Sequence, residues 1–424
     1  MKKVLIISPH FPPINAADMH RIRQSLSYYK ENNWLAEVVV VDPEFVEGFQ
    51  DKLLLETLPS DIKIHKVKAL NAGLTRKFGL GSIAYRSMYY YWKVVNSILR
   101  DSNYDLIFFS TTAFPITILG RVWKRKFNIP YIIDMQDPWR PDHYLTLPKN
   151  QRPPKFWLSY KLDKWLEEYA MKNVDGLLSV SQTYIDVLKN RYSLHNIPSS
   201  VIPFAAFKKD IEVAQESKIS NKFFSKSSNI KNIVYIGRGG DDMVLANTIF
   251  LEAIKKGSEL YDDFKSIKIY FIGTSYDPSG NGESTVLPIA KSLGIDTQLI
   301  EITQRISYFE SIKVLSDADL LFVPGSDNIG YTASKIYPYV WLNKPIITLF
   351  HSSSSVNNFM IECNAGMSLQ FDTTDRVENV NNIIQYIHDS FKGFNSNINW
   401  DNFEKYTAQY QVKKQTELFE SVAK

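Results

Sequence analysis

The chain has 424 residues, more than one ordinary core accommodates, and this length predicts two domains of about 200 residues each. Its composition of 44% hydrophobic, 13% aromatic and 22% charged residues predicts a globular protein, and a net charge of +4 argues against a dedicated nucleic-acid binder. The single cysteine, Cys363, excludes an internal disulfide framework and is expected to be a packed thiol rather than a nucleophile.

The N-terminus begins with MKK and passes directly into the apolar run VLII at residues 4–7. This run is too short for the hydrophobic region of a signal peptide, and no later run reaches the roughly 18 apolar residues that span a bilayer. We therefore expect a cytoplasmic protein and treat peripheral membrane contact as a separate hypothesis.

Short β-rich runs alternate with longer helical patterns through the first half of the chain. Repeated β-α order predicts a parallel, doubly wound sheet. The predicted strands cover residues 3–8, 37–41, 62–67, 105–109, 130–134, 176–180 and 200–203.

After a polar, charged stretch at 208–231, the same rhythm resumes. The predicted strands of this second half cover residues 232–236, 267–272, 297–300, 319–323, 345–349 and 367–371. The sequence thus predicts two Rossmann-like α/β domains, 1–207 and 208–399, which face each other across a cleft. Residues 400–424 read as one amphipathic helix that packs back on the first domain. Its predicted buried side holds Phe403, Tyr406, Tyr410, Val412, Leu418 and Val422.

Ligands of doubly wound sheets bind at the carboxyl ends of the strands, so we expect the chemistry in the loops after Ser8, Asp134, Ile236, Ile272 and Val323. The second domain carries YTASKIYPY at 331–339 after one strand and IVYIGRGG at 233–240 around another. Ser334 is predicted to cap a helix whose N-terminus, with Lys335 beside it, attracts anions. Arg238 offers a planar guanidinium fork and Lys335 a point charge, and together these cations predict a diphosphate site.

Two loops of the first domain carry acids, histidines and aromatic rings. The sequence SPHFPPINAAD covers residues 8–18 and follows the first strand. For Asp18 in this loop, the alternative to a role in the site is that it only caps the following helix. The sequence DMQDPWRPDH at 134–143 suits sugar hydroxyls, although a structural loop locked by two prolines is the alternative. Neither loop matches the GxGxxG, Walker, GxSxG, HExxH or calcium-loop patterns, which argues against the sites those patterns mark.

In the order and spacing of these motifs, the chain resembles the glycosyltransferases of the two-Rossmann GT-B architecture, and among them the retaining nucleotide-sugar transferases of family 4. The motifs that carry the resemblance are ISPHFPP at 7–13, DMQDPW at 134–139, YIGR at 235–238, FIGT at 271–274, SKIYPY at 334–339 and KP at 344–345. Each motif is weak by itself, whereas their order along the whole chain is fairly specific.

The resemblance implies that the second domain binds the nucleoside diphosphate of a donor, that the first binds the acceptor, and that segment 298–305 lies near the base. The implied catalytic residues are Arg238, Lys335, Asp137 and His10. The implied donor-binding residues are Gly237, Gly239, Gly273, Thr274, Arg305, Ser326, Tyr331, Thr332 and Ser334. The implied acceptor-binding residues are Asn15, Ala16, Ala17, Trp139 and His143. The resemblance implies no metal and no cofactor besides the nucleotide-sugar substrate.

Three departures from the family pattern predict a divergent subgroup or, as an alternative, an inactive relative. Many members carry two glutamates in the donor loop, where this chain has Gly330 and Pro338. Many place a histidine where this chain has Gln136, and a lysine where it has GGDD at 239–242. We therefore expect ribose recognition to differ from that of the family.

The sequence predicts transfer of a hexosyl unit from a nucleotide-diphosphate sugar to a glycan or lipid-linked glycan, in cell-surface polysaccharide biosynthesis. By resemblance, the reaction retains the anomeric configuration, needs no metal and uses the departing diphosphate as base. Two alternatives remain: a nucleotide-sugar epimerase of the same fold, and an inactive relative that binds glycan or protein.

Basic and aromatic residues interleave in two stretches of the first domain, 75–92 and 149–165. Such a mixture suits the headgroup region of a membrane and a lipid-linked acceptor. The alternative is a set of ordinary core aromatics with solvated lysines.

Overall fold

The computed structural model describes residues 1–226, 229–275, 282–328, 331 and 333–423. The chain divides into two compact units. The first comprises Met1–Ala205 with Ala408–Lys424, and the second comprises Ala206–Thr407.

The first unit is built on a sheet of seven strands that are all parallel. The strands are β1 (Lys2–Ile7), β2 (Trp34–Val41), β3 (Lys63–Val67), β4 (Leu106–Ser110), β5 (Tyr131–Met135), β6 (Gly176–Ser179) and β7 (Ser199–Val201). Their order across the sheet is β3-β2-β1-β4-β5-β6-β7. The helices of this half are α1 (Met19–Ser25), α2 (Ala72–Arg76), α3 (Ile83–Asp101), α4 (Ile118–Phe127), α5 (Phe156–Met171) and α6 (Gln182–Tyr192).

The second unit is built on a sheet of six parallel strands. The strands are β8 (Lys231–Ile236), β9 (Ile267–Ile272), β10 (Leu299–Ile302), β11 (Leu320–Pro324), β12 (Ile346–Phe350) and β13 (Met367–Gln370). Their order is β10-β9-β8-β11-β12-β13. The helices are α7 (Lys208–Glu216), α8 (Val244–Leu260), α9 (Asp262–Lys265), α10 (Leu287–Leu293), α11 (Tyr308–Asp317), α12 (Ile336–Trp341), α13 (Ser355–Glu362), α14 (Arg376–Lys392) and α15 (Trp400–Phe403).

Both sheets are covered by apolar packing on both faces, as parallel sheets require. Along β1, alternate side chains enter opposite layers: Leu5 and Ile7 join one core cluster, whereas Val4 and Ile6 join another. The second unit has one large core cluster, which includes the buried thiol of Cys363. Burial raises the pKa of that thiol to about 11, which agrees with an inert, packed cysteine.

The two sheets share one topology, and each has a point where the strand order reverses. In the first sheet this switch point lies between β1 and β4, and in the second between β8 and β11. Loops that leave the carboxyl ends of these neighbouring strands diverge and leave a crevice, which is where ligands of such sheets bind.

The predicted pair of doubly wound parallel sheets is confirmed. Every one of the thirteen predicted strands is present, with seven in the first sheet and six in the second. Two strands differ most from their predicted bounds. β2 begins three residues earlier than predicted, at Trp34, and β10 was predicted at 297–300 and is observed at Leu299–Ile302.

The prediction of a single helix over 400–424 is wrong, because the helical conformation is interrupted at Thr407. Thr407 has an extended backbone (φ −81°, ψ 153°) between a short 3-10 helix, Glu404–Tyr406, and the last helix, α16 (Ala408–Val422). Phe403 packs in the core of the second unit, whereas Val412 and Leu418 pack against the first sheet. The predicted apolar side of the helix is therefore shared between two cores. Within the described part of the chain, every helix is too short or too polar to span a membrane.

Candidate functional site

Arg238 follows β8 and is held in place by the carboxylate of Asp242, four residues further along the chain. Its Nη1 and Nη2 atoms donate to Oδ1 and Oδ2 of Asp242 at 2.8 and 2.6 Å. The Ser326 hydroxyl, from the loop after β11, also donates to this carboxylate. The hydrogen bonds from Arg238 are the main reason that the pKa of Asp242 is lowered to about 2. The fork is thus oriented at the switch point of the second sheet.

Lys335 lies beside this pair and is a cation without a carboxylate partner in the part of the chain that the structure describes. Its Nζ donates to the Tyr235 hydroxyl at 3.2 Å and to the Ile236 carbonyl at 3.4 Å. Burial, and after it the positive charges of Arg238 and Arg305, lower the pKa of Lys335 to about 8. A partly desolvated cation beside other cations is stabilised by a bound anion, so this arrangement marks an anion site.

Glycines let the backbone approach these cations closely. A Cβ atom at Gly237 would stand 1.8 Å from Lys335 Nζ, so any side chain there would displace the ammonium. Gly273, at the end of β9, has φ +75°, a conformation that favours glycine. The Gly239 N–H donates to the carbonyl of Thr274 at 2.8 Å and joins the loops after β8 and β9.

The prediction that Ser334 caps a helix is wrong. The helix α12 starts at Ile336, Lys335 occupies the cap position without a side-chain cap hydrogen bond, and the helix has only six residues. Pro338 lies in its first turn, where the missing N–H costs no hydrogen bond. The positive charge therefore comes from the Lys335 side chain and not from a helix terminus.

Most of the other donor-side residues lie at the same edge of the second sheet. The Tyr331 ring centroid lies 4.9 Å from Arg238 Cζ, and the Thr274 hydroxyl donates to Glu301 at 2.8 Å. Arg305 follows β10 and packs beside Gly273. Thr332 and Gly330 lie outside the described residues.

One end of the segment predicted to lie near the base is at the opposite edge of the sheet. Gln298 precedes β10, and its side-chain amide donates to the backbone carbonyls of Phe264 and Ile267. Gln298 is therefore a structural residue, and only the end of 298–305 that holds Arg305 reaches the carboxyl edge.

In the first unit, His10 and Asp18 form a hydrogen-bonded pair at the switch point between β1 and β4. His10 Nδ1 lies 3.0 Å from both carboxylate oxygens of Asp18. The Thr111 hydroxyl and the Thr112 N–H, which follow β4, each donate to Asp18 Oδ2 at 3.0 Å. A role for Asp18 as a cap alone is thus wrong: it occupies the cap position of α1 but makes no cap hydrogen bond.

The pair shifts both of its pKa values toward the charged forms. Burial lowers the pKa of His10, but the hydrogen bond and the negative charge of Asp18 outweigh burial and raise it above its ordinary value. Burial raises the pKa of Asp18, but His10, Thr112 and Thr111 together lower it. Asp137 lies on the loop after β5, where burial and, second, the negative charge of Asp18 raise the pKa of its carboxyl. Within the described ranges, no three His, Cys, Asp or Glu side chains come together as metal ligands.

Gln136, which stands where many family members have a histidine, belongs to a buried polar network. Its side-chain amide donates to Asp134 Oδ2 at 2.8 Å and to the Asp18 carbonyl at 3.2 Å. Asp134 also accepts from the Ser110 hydroxyl and lies 2.7 Å from Arg21 Nε. These groups are buried, so they position the loop and do not face a ligand.

The acceptor-side residues predicted from the sequence fall into two groups. Trp139 and His143 line a cavity of about 250 Å³ together with Asp137. Trp139 is only 7% exposed, and its ring stacks on that of Phe114 with 5.6 Å between the ring centroids. Trp139 is therefore a core residue that contributes to the cavity wall and is not an exposed ring.

The second acceptor-side group lies on the loop before α1. Asn15 Oδ1 contacts His20 Nε2 at 3.2 Å, which fixes the side-chain amide locally. Ala16 is half-buried and Ala17 is exposed, so Ala17 leaves the surface open.

Sequence reasoning missed three residues that the structure places in these sites. Asp242 stands four residues after Arg238, but Arg238 lies in a loop and the helical turn begins only at Asp241, so no helical spacing identified the pair. Thr111 and Thr112 follow β4, whose loop was not among the five strand-end loops predicted to carry the chemistry. The rule that ligands bind at the switch point would have directed attention to it.

Comparisons with known proteins agree with this architecture. Residues 37–205, within the first unit, match the model of Glycosyltransferase Family 4. No curated protein matches the chain by sequence. The resemblance to this family that the motifs predicted is confirmed over the matched residues.

Solved structures match the chain over its whole length. HepE from Anabaena, in complex with UDP and glucose, is 14% identical with a TM-score of 0.59, and the match covers 99% of this chain and 100% of that one. A UDP-forming alpha,alpha-trehalose-phosphate synthase from Burkholderia xenovorans is 10% identical with a TM-score of 0.58, covering 100% and 99%. An E. coli structure bound with UDP-2-fluoro glucose is 14% identical with a TM-score of 0.57, covering 100% of both chains. At these identities the matches show the fold, which is GT-B.

Proposed function

We propose, from the GT-B fold and the Glycosyltransferase Family 4 match of the first unit, that this protein is a glycosyltransferase. It transfers a hexosyl unit from a nucleotide-diphosphate sugar to a glycan or lipid-linked glycan acceptor. We further propose that the reaction retains the anomeric configuration, uses no metal and serves cell-surface polysaccharide biosynthesis at the inner membrane surface.

The observation that carries the proposal is the cation pair at the switch point of the second sheet. Lys335 lacks a carboxylate partner among the described residues, and its pKa is lowered to about 8 by burial and by neighbouring cations. A diphosphate would supply the missing negative charge and would find the oriented fork of Arg238 beside it. Because the similar structures contain UDP or UDP-sugars, UDP-sugars are the first donors to test.

The chemistry of the leaving group assigns the two cations their roles. Negative charge grows on the diphosphate as the bond to the sugar breaks, so cations that contact it stabilise the transition state more than the bound substrate. Asp242 accepts from Nη1 and Nη2 of Arg238, no acceptor for its Nε–H is found among the described residues, and its charge remains next to Lys335. In a retaining reaction the departing diphosphate then accepts the proton of the attacking hydroxyl.

On the acceptor side, His10 and Asp137 provide complementary hydrogen-bonding groups. Asp18 raises the pKa of His10 against the opposing effect of burial. In its protonated form, the imidazole would act as a donor to an acceptor oxygen. Asp137 is a carboxylate at the cavity edge and accepts hydrogen bonds from sugar hydroxyls. The pair Asp18–His10 is therefore proposed to orient the acceptor, while the donor diphosphate supplies the base.

Nucleotide release from a panel of UDP- and GDP-sugars, measured with and without glycan acceptors, tests the proposal. Release that depends on an acceptor, with the sugar recovered on it in the donor's anomeric configuration by NMR, is the expected result. Interconversion of the donor sugar without an acceptor would favour the epimerase, and an inverted product would overturn retention. Failure to bind or turn over any donor would favour an inactive relative.

A further inference from the structure

The first unit exposes large apolar side chains on a group of neighbouring helices. On α5, Trp157 is 65% exposed and Trp165 is 60% exposed, and on α3 Tyr89 is 60% exposed. Phe78, in the loop between α2 and α3, is 81% exposed. Isolated apolar residues on a surface need no explanation, but a group of this kind marks an interaction surface. We call it the aromatic surface, defined by Phe78, Tyr89, Trp92, Trp157, Leu162 and Trp165.

The helix α5 shows that these residues are not a misread core. Its inward side buries Leu166, Ala170 and Met171 against the first sheet. Trp157, Leu162 and Trp165 are all exposed and lie within the broad outward side of the helix, away from the buried residues. The helix is therefore apolar on two sides, and only one of them is covered by its own domain.

The helices α3 and α5 lie next to each other on one side of the first sheet. Both pack on the short 3-10 helix Phe114–Thr117. Asp163, on α5, accepts a hydrogen bond from Trp139 at 3.2 Å, and Trp139 in turn stacks on Phe114. The pKa of Tyr85, on α3, is raised to about 12, first by burial and second by the negative charge of Asp163. Tyr85 is therefore close to Asp163. Tyr89 follows one turn after Tyr85, so the exposed rings of both helices belong to one region.

The loop that carries Phe78 is anchored at the start of α3. Arg86 Nε donates to the Leu70 carbonyl at 2.8 Å, and the Leu70 N–H donates to the Arg86 carbonyl at 2.9 Å. These bonds close the base of the loop while Phe78 stays in solvent. The anchored loop thus extends the region formed by α3 and α5.

The charges around the aromatic surface have one predominant sign. Neither residues 62–100 nor residues 143–162 contain an aspartate or glutamate. Lys161 Nζ lies 5.8 Å from the Trp157 ring centroid, which places a cation at the edge of the apolar stripe. Few acids face this region: Asp163 is bonded to Trp139, Glu47 pairs with Arg76, and Glu168 is exposed on α5 three residues after Trp165. The exposed lysines and arginines of the two segments are Lys63, Lys66, Lys68, Arg76, Lys77, Lys93, Arg100, Lys149, Lys155 and Lys161.

We propose that the aromatic surface docks on an anionic lipid bilayer. Exposed tryptophan and tyrosine rings partition into the interface between headgroups and acyl chains, and lysines around them bind anionic headgroups. Cations outnumber acids around these rings, an excess that anionic headgroups would match and that a protein partner would not require. The charge pattern therefore favours the lipid surface as the occupant.

Docking along α5 would also bring the bilayer close to the acceptor-side cavity. Arg140, which lines this cavity, donates to the Tyr160 hydroxyl of α5, and its Cζ lies 5.1 Å from the Tyr160 ring centroid. A lipid-linked acceptor could thus reach Asp137 while its lipid stays in the membrane. This last step rests on the proposed function, whereas the docking itself does not.

Vesicle flotation of the purified full chain tests the docking. The probes are vesicles of phosphatidylcholine alone and of phosphatidylcholine with about a third phosphatidylglycerol, at low and high salt. An apolar variant combines Phe78→Ser, Trp157→Ser and Trp165→Ser, and a charge variant combines Lys77→Glu, Lys155→Glu and Lys161→Glu. Ile361→Ser, at a residue 69% exposed on the second unit, is the matched apolar control, and Lys265→Glu is the charge control.

We expect the wild type and both controls to float with anionic vesicles at low salt. The charge variant should partition less into anionic vesicles, by about fivefold or more for each of its three reversed lysines. The apolar variant should lose binding at either salt concentration. Unchanged melting temperature and nucleotide binding in the variants would show that the fold and the donor site are intact.

Three outcomes would overturn the proposal: no flotation of the wild type, equal flotation of the variants, or equal binding to neutral vesicles. If the variants instead lose a specific protein partner while the wild type ignores lipid, the surface is a protein interface. Loss of donor binding by the wild type would overturn the proposed function and leave the docking result standing.

Discussion

The switch points of the two sheets have the same topology and different charge. At the first, between β1 and β4, Asp18 is paired with His10, and Asp137 lies on the neighbouring loop after β5; at the second, between β8 and β11, Arg238 is paired with Asp242 and Lys335 adds a further positive charge. Under the proposed function, the same backbone crevice would serve a hydroxyl-rich ligand in one domain and a diphosphate in the other. The fold supplies the place, and the side chains after the strands decide the ligand.

The two places also differ in how completely their charges are satisfied. Asp18 is surrounded by donors from His10, Thr111 and Thr112, so the first site is organised without a ligand. In the second, Arg238 has Asp242, whereas Lys335 has only hydroxyl and carbonyl oxygens as described partners. Ligand charge should therefore matter far more at the second site, and the following changes test that difference.

Lys335→Ala should cause the largest loss. Removing a cation that contacts the developing charge of the diphosphate should lower kcat by about 10²–10³-fold, which corresponds to about 2.7–4 kcal/mol. Steady-state kinetics with the identified donor would measure it. The control is Lys265→Ala, at a lysine 65% exposed on α9, which should leave kcat unchanged. A Lys335→Ala enzyme with normal kcat would remove Lys335 from the chemistry.

Arg238→Ala should lower kcat by a smaller factor, about 10²-fold, because Asp242 already offsets part of the charge of Arg238. Asp242→Asn should lower kcat by only about tenfold, since it loosens the fork without removing it. Arg238→Lys keeps the charge and should recover part of the loss. If Asp242→Asn were as damaging as Arg238→Ala, Asp242 would itself contact the substrate.

The affinity for a UDP-sugar should fall as the pH rises through about 8. The folded protein lowers the pKa of Lys335 from 10.5 to about 8, and only the protonated ammonium attracts the diphosphate. Binding should thus be strongest below pH 8, and calorimetry between about pH 7 and 9 should show a Kd that rises by about tenfold. Lys335→Arg should bind without this step, and a wild type that binds equally well across the range would contradict the assignment.

The smallest effect is expected in the first site, where NMR can follow the His10 imidazole. Its pKa should exceed the ordinary 6.5, and Asp18→Asn should lower it below 6.5, because burial then acts without the carboxylate. The sign for stability follows: the pair stabilises the folded state below pH 6.5, and this contribution is lost as the pH rises through the folded pKa. Asp263→Asn, at the carboxylate that contacts His388, is a control that should leave His10 unchanged. An unshifted His10 in both proteins would contradict the pairing.

The fold could be predicted from the sequence because its strands are short apolar runs at regular intervals. Central strands such as β4 and β11 are buried on both faces, so they stand out against the helical patterns between them. The break at Thr407 could not be predicted, because apolar residues keep a helical spacing through it and only tertiary packing assigns them to different cores.

The candidate site was predictable only in part, since its contacts join distant segments. Arg238 and Lys335 could be proposed from strand-end loops, although they are 97 residues apart in the sequence. The donors of Thr111 and Thr112 to Asp18 span more than 90 residues and leave no local pattern. Ser334 misled because a helix cap is a matter of backbone geometry, and the backbone of α12 begins its helical turn later.

The central claim is that the second unit binds a nucleoside diphosphate through Lys335 and Arg238. Calorimetric titration of UDP, GDP, CDP and ADP into the wild type, Lys335→Ala, Arg238→Ala and Lys265→Ala tests it most directly. We predict that one diphosphate binds the wild type and Lys265→Ala equally well and that both site variants weaken it by at least about tenfold. Absence of binding by all four diphosphates, or equal binding by all four proteins, would contradict the claim.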